Sequence, residues 1–161
     1  MEPMSMGLAE FIIANQEAIL AEFDAFARTQ TPASTSMSTA ALRDHAAQVL
    51  IAIAIDIRQR QSPWQESEKS KGHAPDVAGA TPTAAQTHGD MRAIVGFDIN
   101  QTLAEYRALR ASVIRMWLES KPQLGSAGAA DLVRFNEAID QAVAESIHQF
   151  TASTAREATR P

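Results

Sequence analysis

The stretch Phe97–Glu119, FDINQTLAEYRALRASVIRMWLE, decides the fold. Asp98 can cap a helix, and Gln101 stands three residues on, the spacing of a capping box. Helix from Ile99 to Ser120 would be about 33 Å long at about 1.5 Å per residue. At the helical period, Ile99, Leu103, Tyr106, Leu109, Val113, Ile114 and Trp117 share one broad face. Arg110 falls near the middle of that face. A lone buried guanidinium is too costly to keep. Arg110 should therefore have a carboxylate or carbonyl partner on another helix, or pack its stem and carry its head to water.

Working outward, the chain reads as helices throughout. N-terminal to this stretch, Thr81-Pro82 reads as a cap and first helical residue, with helix to Val95 and Gly96 ending it. Its apolar face holds Ala84, His88, Met91 and Val95. A first helix is expected over about Gly7–Thr29, with one stripe of Leu8, Ile12, Ile19, Phe23 and Phe26 and a second of Ile13, Leu20 and Ala27. Pro32 and its Ser/Thr neighbours make 30–38 a loop. Ser38 then caps a second helix of about 22 residues, with Met37 and Leu42 spaced as a hydrophobic staple. Its main face is Leu42, Val49, Leu50, Ile53 and Ile57, while Ile51 and Ile55 point the other way. The run VLIAIAI alternates like a strand, but it is embedded in a capped, helix-forming stretch. Residues 61–81 form the longest interruption, with two short helical turns expected at Trp64–Lys71 and Trp64 as an anchor.

C-terminal to the long stretch, Pro122, Gly125 and Gly128 mark a turn. A last helix is expected from near Ala129 to about Thr159, its face built of Leu132, Phe135, Ile139, Val143, Ile147 and Phe150. Asn136 lies within that face and Asp140 on its edge. Past Phe150 the large apolar residues stop, so 151–161 should be an exposed tail. The expectation is one all-α bundle of about five main helices spanning 1–161, with its core over about 7–150.

Composition agrees. The 161 residues are 45% hydrophobic and 20% charged, a globular balance. Net charge is −5 with no basic block, which argues against nucleic acid and anionic membrane as partners. The absence of cysteine excludes disulfides and thiolate chemistry and fits a cytoplasmic location. The start, MEPMSMGLAE, lacks the basic region of a signal peptide, and the longest apolar run, 49–55, is far too short to span a bilayer.

No catalytic motif is present: no phosphate-binding glycine loop, no Gly-x-Ser-x-Gly, no His-Glu-x-x-His. Glu145 and His148 make one Glu-x-x-His, but bundle di-iron sites need two, and this one lies on the polar side. His88 interrupts an apolar stripe. It could be an axial haem ligand, or a core histidine hydrogen-bonded to a neighbour. His45 and His73 carry less, on a helix flank and in a loop. The strongest polar signal joins two faces: Asp140 is placed to balance Arg110, with Asn136 completing a buried network. Losing Asp140 from such a network would cost about 3–5 kcal/mol.

Several segments in order resemble the RsbRD-type N-terminal sensory domain of the RsbT co-antagonist family, in the branch found on bacterial sensor histidine kinases. They are Ala41-Leu42-Arg43-Asp44-His45-Ala46, Thr87-His88-Gly89 with Arg92, and Gly96-Phe97. Glu105-Tyr106-Arg107-Ala108-Leu109-Arg110 with Trp117, and Phe135-Asn136-Glu137-Ala138-Ile139-Asp140, complete the set. The resemblance implies a globin-like helical fold without haem, a homodimer, and a non-catalytic signal-input role with no cofactor or metal. Kinase or other output activity would lie in a downstream region outside these 161 residues. A haem-binding globin-type sensor using His88 is the alternative.

Overall fold

The computed structural model describes residues 7–59, 82–121 and 123–159. They form six α-helices and one short 3₁₀ turn: α1 (Leu8–Ala14), α2 (Gln16–Arg28), the 3₁₀ turn Ala33–Ser36, α3 (Thr39–Arg58), α4 (Ala84–Ile94), α5 (Ile99–Glu119) and α6 (Gly125–Ala158). Among the described residues there is no strand, and the fold is an all-α bundle. No helix among them is long and apolar enough to cross a membrane. The helical turns expected at Trp64–Lys71, the Trp64 anchor and His73 lie outside the described residues.

The long central helix forms as its sequence dictates. Asp98 Oδ1 accepts from the Gln101 N–H at 2.7 Å, and Gln101 Oε1 accepts from the Asp98 N–H at 2.9 Å. This reciprocal pair satisfies two of the amides that a helix start leaves open. Ser38 caps α3 by accepting from the Ala41 N–H at 3.1 Å. The cap of α4 is Thr83 rather than Thr81, because Gln86 stands three residues after Thr83 and closes a second capping box. The last helix starts at Gly125, a full turn before Ala129, and runs 34 residues.

The N-terminal helix is not continuous. It breaks at Asn15, whose side-chain amide donates to the Phe11 carbonyl at 2.9 Å. An asparagine can satisfy a helix end with its own side chain, which offers the backbone an alternative to continuing. The break redirects the two expected stripes: Leu8, Ile12, Ile19, Leu20, Phe23 and Ala27 are buried, but Ile13 is exposed. Asp131 of α6 ties α1 down, accepting from the Leu8 N–H at 3.0 Å.

The end of α4 positions Phe97 beside Arg92. Gly96 takes φ +96°, a left-handed conformation that favours glycine. The Gly96 and Phe97 amides then reach back to the Ala93 and Arg92 carbonyls at 3.2 and 3.0 Å, the bonds of a Schellman cap. The buried Phe97 ring lies 4.8 Å from the Arg92 guanidinium carbon.

Helix α4 lies along α6 and also touches α3 and α5. Its approach to α6 depends on Gly89. A Cβ on Gly89 would stand 2.1 Å from the Ser146 carbonyl oxygen, a backbone atom that cannot swing away. Gly89→Ala is therefore expected to destabilise the fold by about 1–3 kcal/mol, as overpacked cores are, despite alanine's better helix propensity. Urea unfolding followed by circular dichroism checks this; an unchanged or raised midpoint would show that α4 and α6 are not held this close.

Candidate functional site

The face of α4 that enters the core is Ala85, His88, Gly89 and Arg92. This is a rotation of about one residue from the face expected around Met91 and Val95. On α5 the buried set is Thr102, Glu105, Tyr106, Leu109, Val113 and Trp117. Ionisable groups of both helices thus sit on inward faces that meet each other. Glu105 and Arg92 are 0% and 1% exposed, and His88 is 2% exposed.

Their geometry is that of a closed charge cluster. Arg92 Nε donates to Glu105 Oε1 at 2.8 Å, and Arg92 Nη2 donates to Glu105 Oε2 at 2.9 Å. The planar guanidinium fork matches the carboxylate, which is why arginine serves here and lysine would not. Nη2 also donates to the Leu42 carbonyl in the first turns of α3 at 2.9 Å. His88 Nε2 stands 3.2 Å from Glu105 Oε1. Burial by itself pushes the Glu105 carboxyl up. The hydrogen bonds and charges of His88 and Arg92 outweigh it and hold the carboxyl below its usual range.

Beside this cluster runs a second buried chain. Ser146 Oγ of α6 lies 2.5 Å from both the Ala85 carbonyl and the Tyr106 hydroxyl. A carbonyl only accepts, so serine spends its one proton there, and Tyr106 must donate to Ser146. Burial drives the Tyr106 hydroxyl well above the ordinary phenol range, though the Ser146 bond acts against it. The His88 ring meets the rings of Tyr106 and Phe23 edge-on, at centroid distances of 5.7 and 6.3 Å.

His88 is therefore a core histidine bonded to a neighbour, the second of its two sequence readings. The space it shares with Phe23, Ala46, Val49, Tyr106 and Leu109 is about 10 Å³, room for about one water. Haem ligation would require His88 to leave Glu105 and the core to open far beyond that volume. His148 is exposed, and no group of three or more metal-ligating side chains gathers among the described residues.

Arg110 and Asp140 do meet. Arg110 Nη2 donates to Asp140 Oδ1 at 2.9 Å. The expected burial is corrected, however: their side chains are 37% and 45% exposed, and Asn136 is exposed as well. The pair lies at the rim of the α5–α6 contact, partly open to water, with only the Arg110 Nε edge buried. Its worth is that of a surface pair, at most about 1 kcal/mol.

Sequence reasoning places Arg92 and Glu105 only within a family likeness and gives them no role. A usable signal exists all the same. Glu105 interrupts the stripe Thr102, Tyr106, Leu109, Val113, and Arg92 stands one turn after His88, so opposite charges intrude on two faces of adjacent helices.

Compared with family models, curated proteins and solved structures, the chain matches none.

Two outcomes test the cluster. Glu105→Gln leaves the Arg92 guanidinium buried without a counter-charge and should cost about 3–5 kcal/mol at neutral pH, against at most about 1 kcal/mol for Asp140→Ala. Because the Glu105 carboxyl is held low, its contribution is complete above the usual carboxylate range and disappears as acid protonates it. The gap between wild type and Glu105→Gln in urea titrations should thus narrow below about pH 4. A gap that is small at pH 7, or that persists unchanged in acid, contradicts the ion pair.

Tyr106 is the one tyrosine of the chain, so its ionisation can be read directly from tyrosinate absorbance. The native protein should ionise at higher pH than the same protein in denaturant. A raised folded-state value means that this residue's stabilisation holds below the ordinary phenol pKa and is lost as pH rises through the folded one. Coincident native and denatured titrations would place the hydroxyl in water.

Proposed function

We propose that this chain is a non-catalytic signal-input and dimerisation domain of a bacterial signal-transduction protein, best fitted to a sensor histidine kinase. In this reading it is a cytoplasmic, haem-free, globin-like module, and phosphoryl transfer belongs to a region outside these residues. The observation that carries the proposal is how the buried charge is spent. His88, Arg92 and Glu105 point at one another and at the Leu42 carbonyl, so they join α3, α4 and α5 instead of lining a cleft for substrate.

The output route fits the same reading. The face of α6 built on Phe135, Ile139, Ala142, Ser146, Phe150 and Ser153 is buried, while residues 154–158 continue the helix with exposed side chains. Arg156 on that exposed turn donates to Asp90 of α4 at 3.1 Å. Helix α4 thus touches the charge cluster with His88 and Arg92, the middle of α6 with Gly89, and its end with Asp90. A small displacement of α4 would be passed to the exposed end of α6, as packed helices pass on shifts of about 1–2 Å.

Joining α6 in helical phase to a histidine-kinase transmitter tests the role. Autophosphorylation should rise and fall as one to four residues are inserted after Ala158, following the period of about 3.6. Asp90→Asn removes a surface pair worth at most about 1 kcal/mol, yet it should change the autophosphorylation rate. A rate indifferent to both helical phase and Asp90 would contradict an input role.

A further inference from the structure

His88 has two ring nitrogens, and the charge cluster uses one of them. Nε2 stands 3.2 Å from Glu105 Oε1, while Nδ1 is buried and has no hydrogen-bond partner among the described residues. Burial pushes the Glu105 carboxyl up, but His88 and Arg92 hold it ionised, so its oxygens only accept. The proton between the two side chains therefore belongs to His88 Nε2. In the neutral ring this fixes the tautomer and leaves Nδ1 as a bare lone pair, an acceptor that burial makes costly to leave unanswered.

The same ring borders the space of about 10 Å³ where α2, α3, α4 and α5 converge. Phe23, Ala46, Val49 and Leu109 are its apolar walls, and His88, Glu105 and Tyr106 are its polar ones. All three polar walls offer lone pairs. Tyr106 gives its one proton to Ser146, so its oxygen can only accept from any further neighbour. Glu105 Oε2 accepts one bond from Arg92 and has capacity for another. A molecule in this space has to bring hydrogens. It has to be neutral, because the Arg92 and Glu105 charges already balance and a further buried charge would stand alone. Its size is limited to about that of one water. Apolar gases meet the size limit but bring no hydrogen to donate.

We propose that this space is a binding site for a single water molecule, which donates one hydrogen bond to His88 Nδ1 and a second to the Tyr106 or Glu105 oxygen. Two protons then answer two of the three acceptors on the walls, as internal waters do where buried polar groups lack protein partners. The hydrogen bond at one ring nitrogen sets which nitrogen carries the proton. The water thereby keeps the His88 Nε2 proton on Glu105 and completes the cluster that joins α4 to α5.

The test is oxygen-17 relaxation dispersion of the solvent around the full chain, which reads long-lived internal waters and is blind to exchanging side-chain protons. Ala46→Val and Val49→Ile add methyl groups at the wall of the space, with circular dichroism as the control for folding. At least one folded variant should lose the dispersion amplitude of about one water relative to wild type. An amplitude unchanged in every folded variant overturns the site, and a raised urea midpoint beside it would mark a dry apolar void. If neither variant folds, nitrogen-15 spectra of the wild-type histidine rings decide, recorded above the ordinary imidazole range. His88 should carry its proton on Nε2, with Nδ1 bare and shifted as an acceptor of a hydrogen bond. A proton on Nδ1, or a bare Nδ1 with the shift of a lone pair that accepts nothing, overturns the proposal.

Discussion

A carboxylate cannot stay inside a protein unless its charge and its lone pairs are answered there. Glu105 meets that condition through Arg92 and His88, and much of the fold depends on it. Both donors stand one turn apart on an 11-residue helix. Without other support such a short helix would be marginal in water. Its alternative, undocking, would leave Glu105 buried and uncompensated. The same guanidinium reaches the Leu42 carbonyl, so the start of α3 is held by the group that neutralises α5. The Schellman cap at Gly96 completes the site by laying Phe97 against the guanidinium.

Close packing makes α4 informative about its neighbours. Gly89 brings its backbone against the Ser146 carbonyl, and Ser146 in turn links the Ala85 carbonyl to Tyr106. Interiors this dense are not continuously deformable, so a change at one side of α4 has to be accommodated at the other. The helix that would feel it most, α6, is also the longest and the one whose last turns leave the core. The coupling proposed for the domain rests on this arrangement of contacts.

The features legible in the sequence are mostly local. The Asp98–Gln101 box, the Ser38 cap and the stop at Gly96 depend on residues within one turn of each other, and all are present. The meeting of Arg110 with Asp140 is legible because each interrupts an apolar face. Their exposure is not, since it depends on how far the rims of α5 and α6 diverge. Helix α4 shows the opposite failure. Met91 and Val95 draw the expected face away from Gly89 and Arg92, so that of its residues only His88 lies on the observed face. Two buried charges that satisfy each other look, one helix at a time, like surface residues. The break at Asn15 is hidden in the same way: neither glycine nor proline marks it.

Native-state hydrogen exchange across α4, under conditions where amide protection reports opening free energy, tests the central claim most directly. If the Glu105 cluster fastens α4 into the core, the interior amides of 88–94 exchange only when the whole domain unfolds, with the same free energy and denaturant dependence as the core of α5. If instead those amides exchange through a smaller, separate opening while α5 stays protected, the buried carboxylate does not hold the fold together.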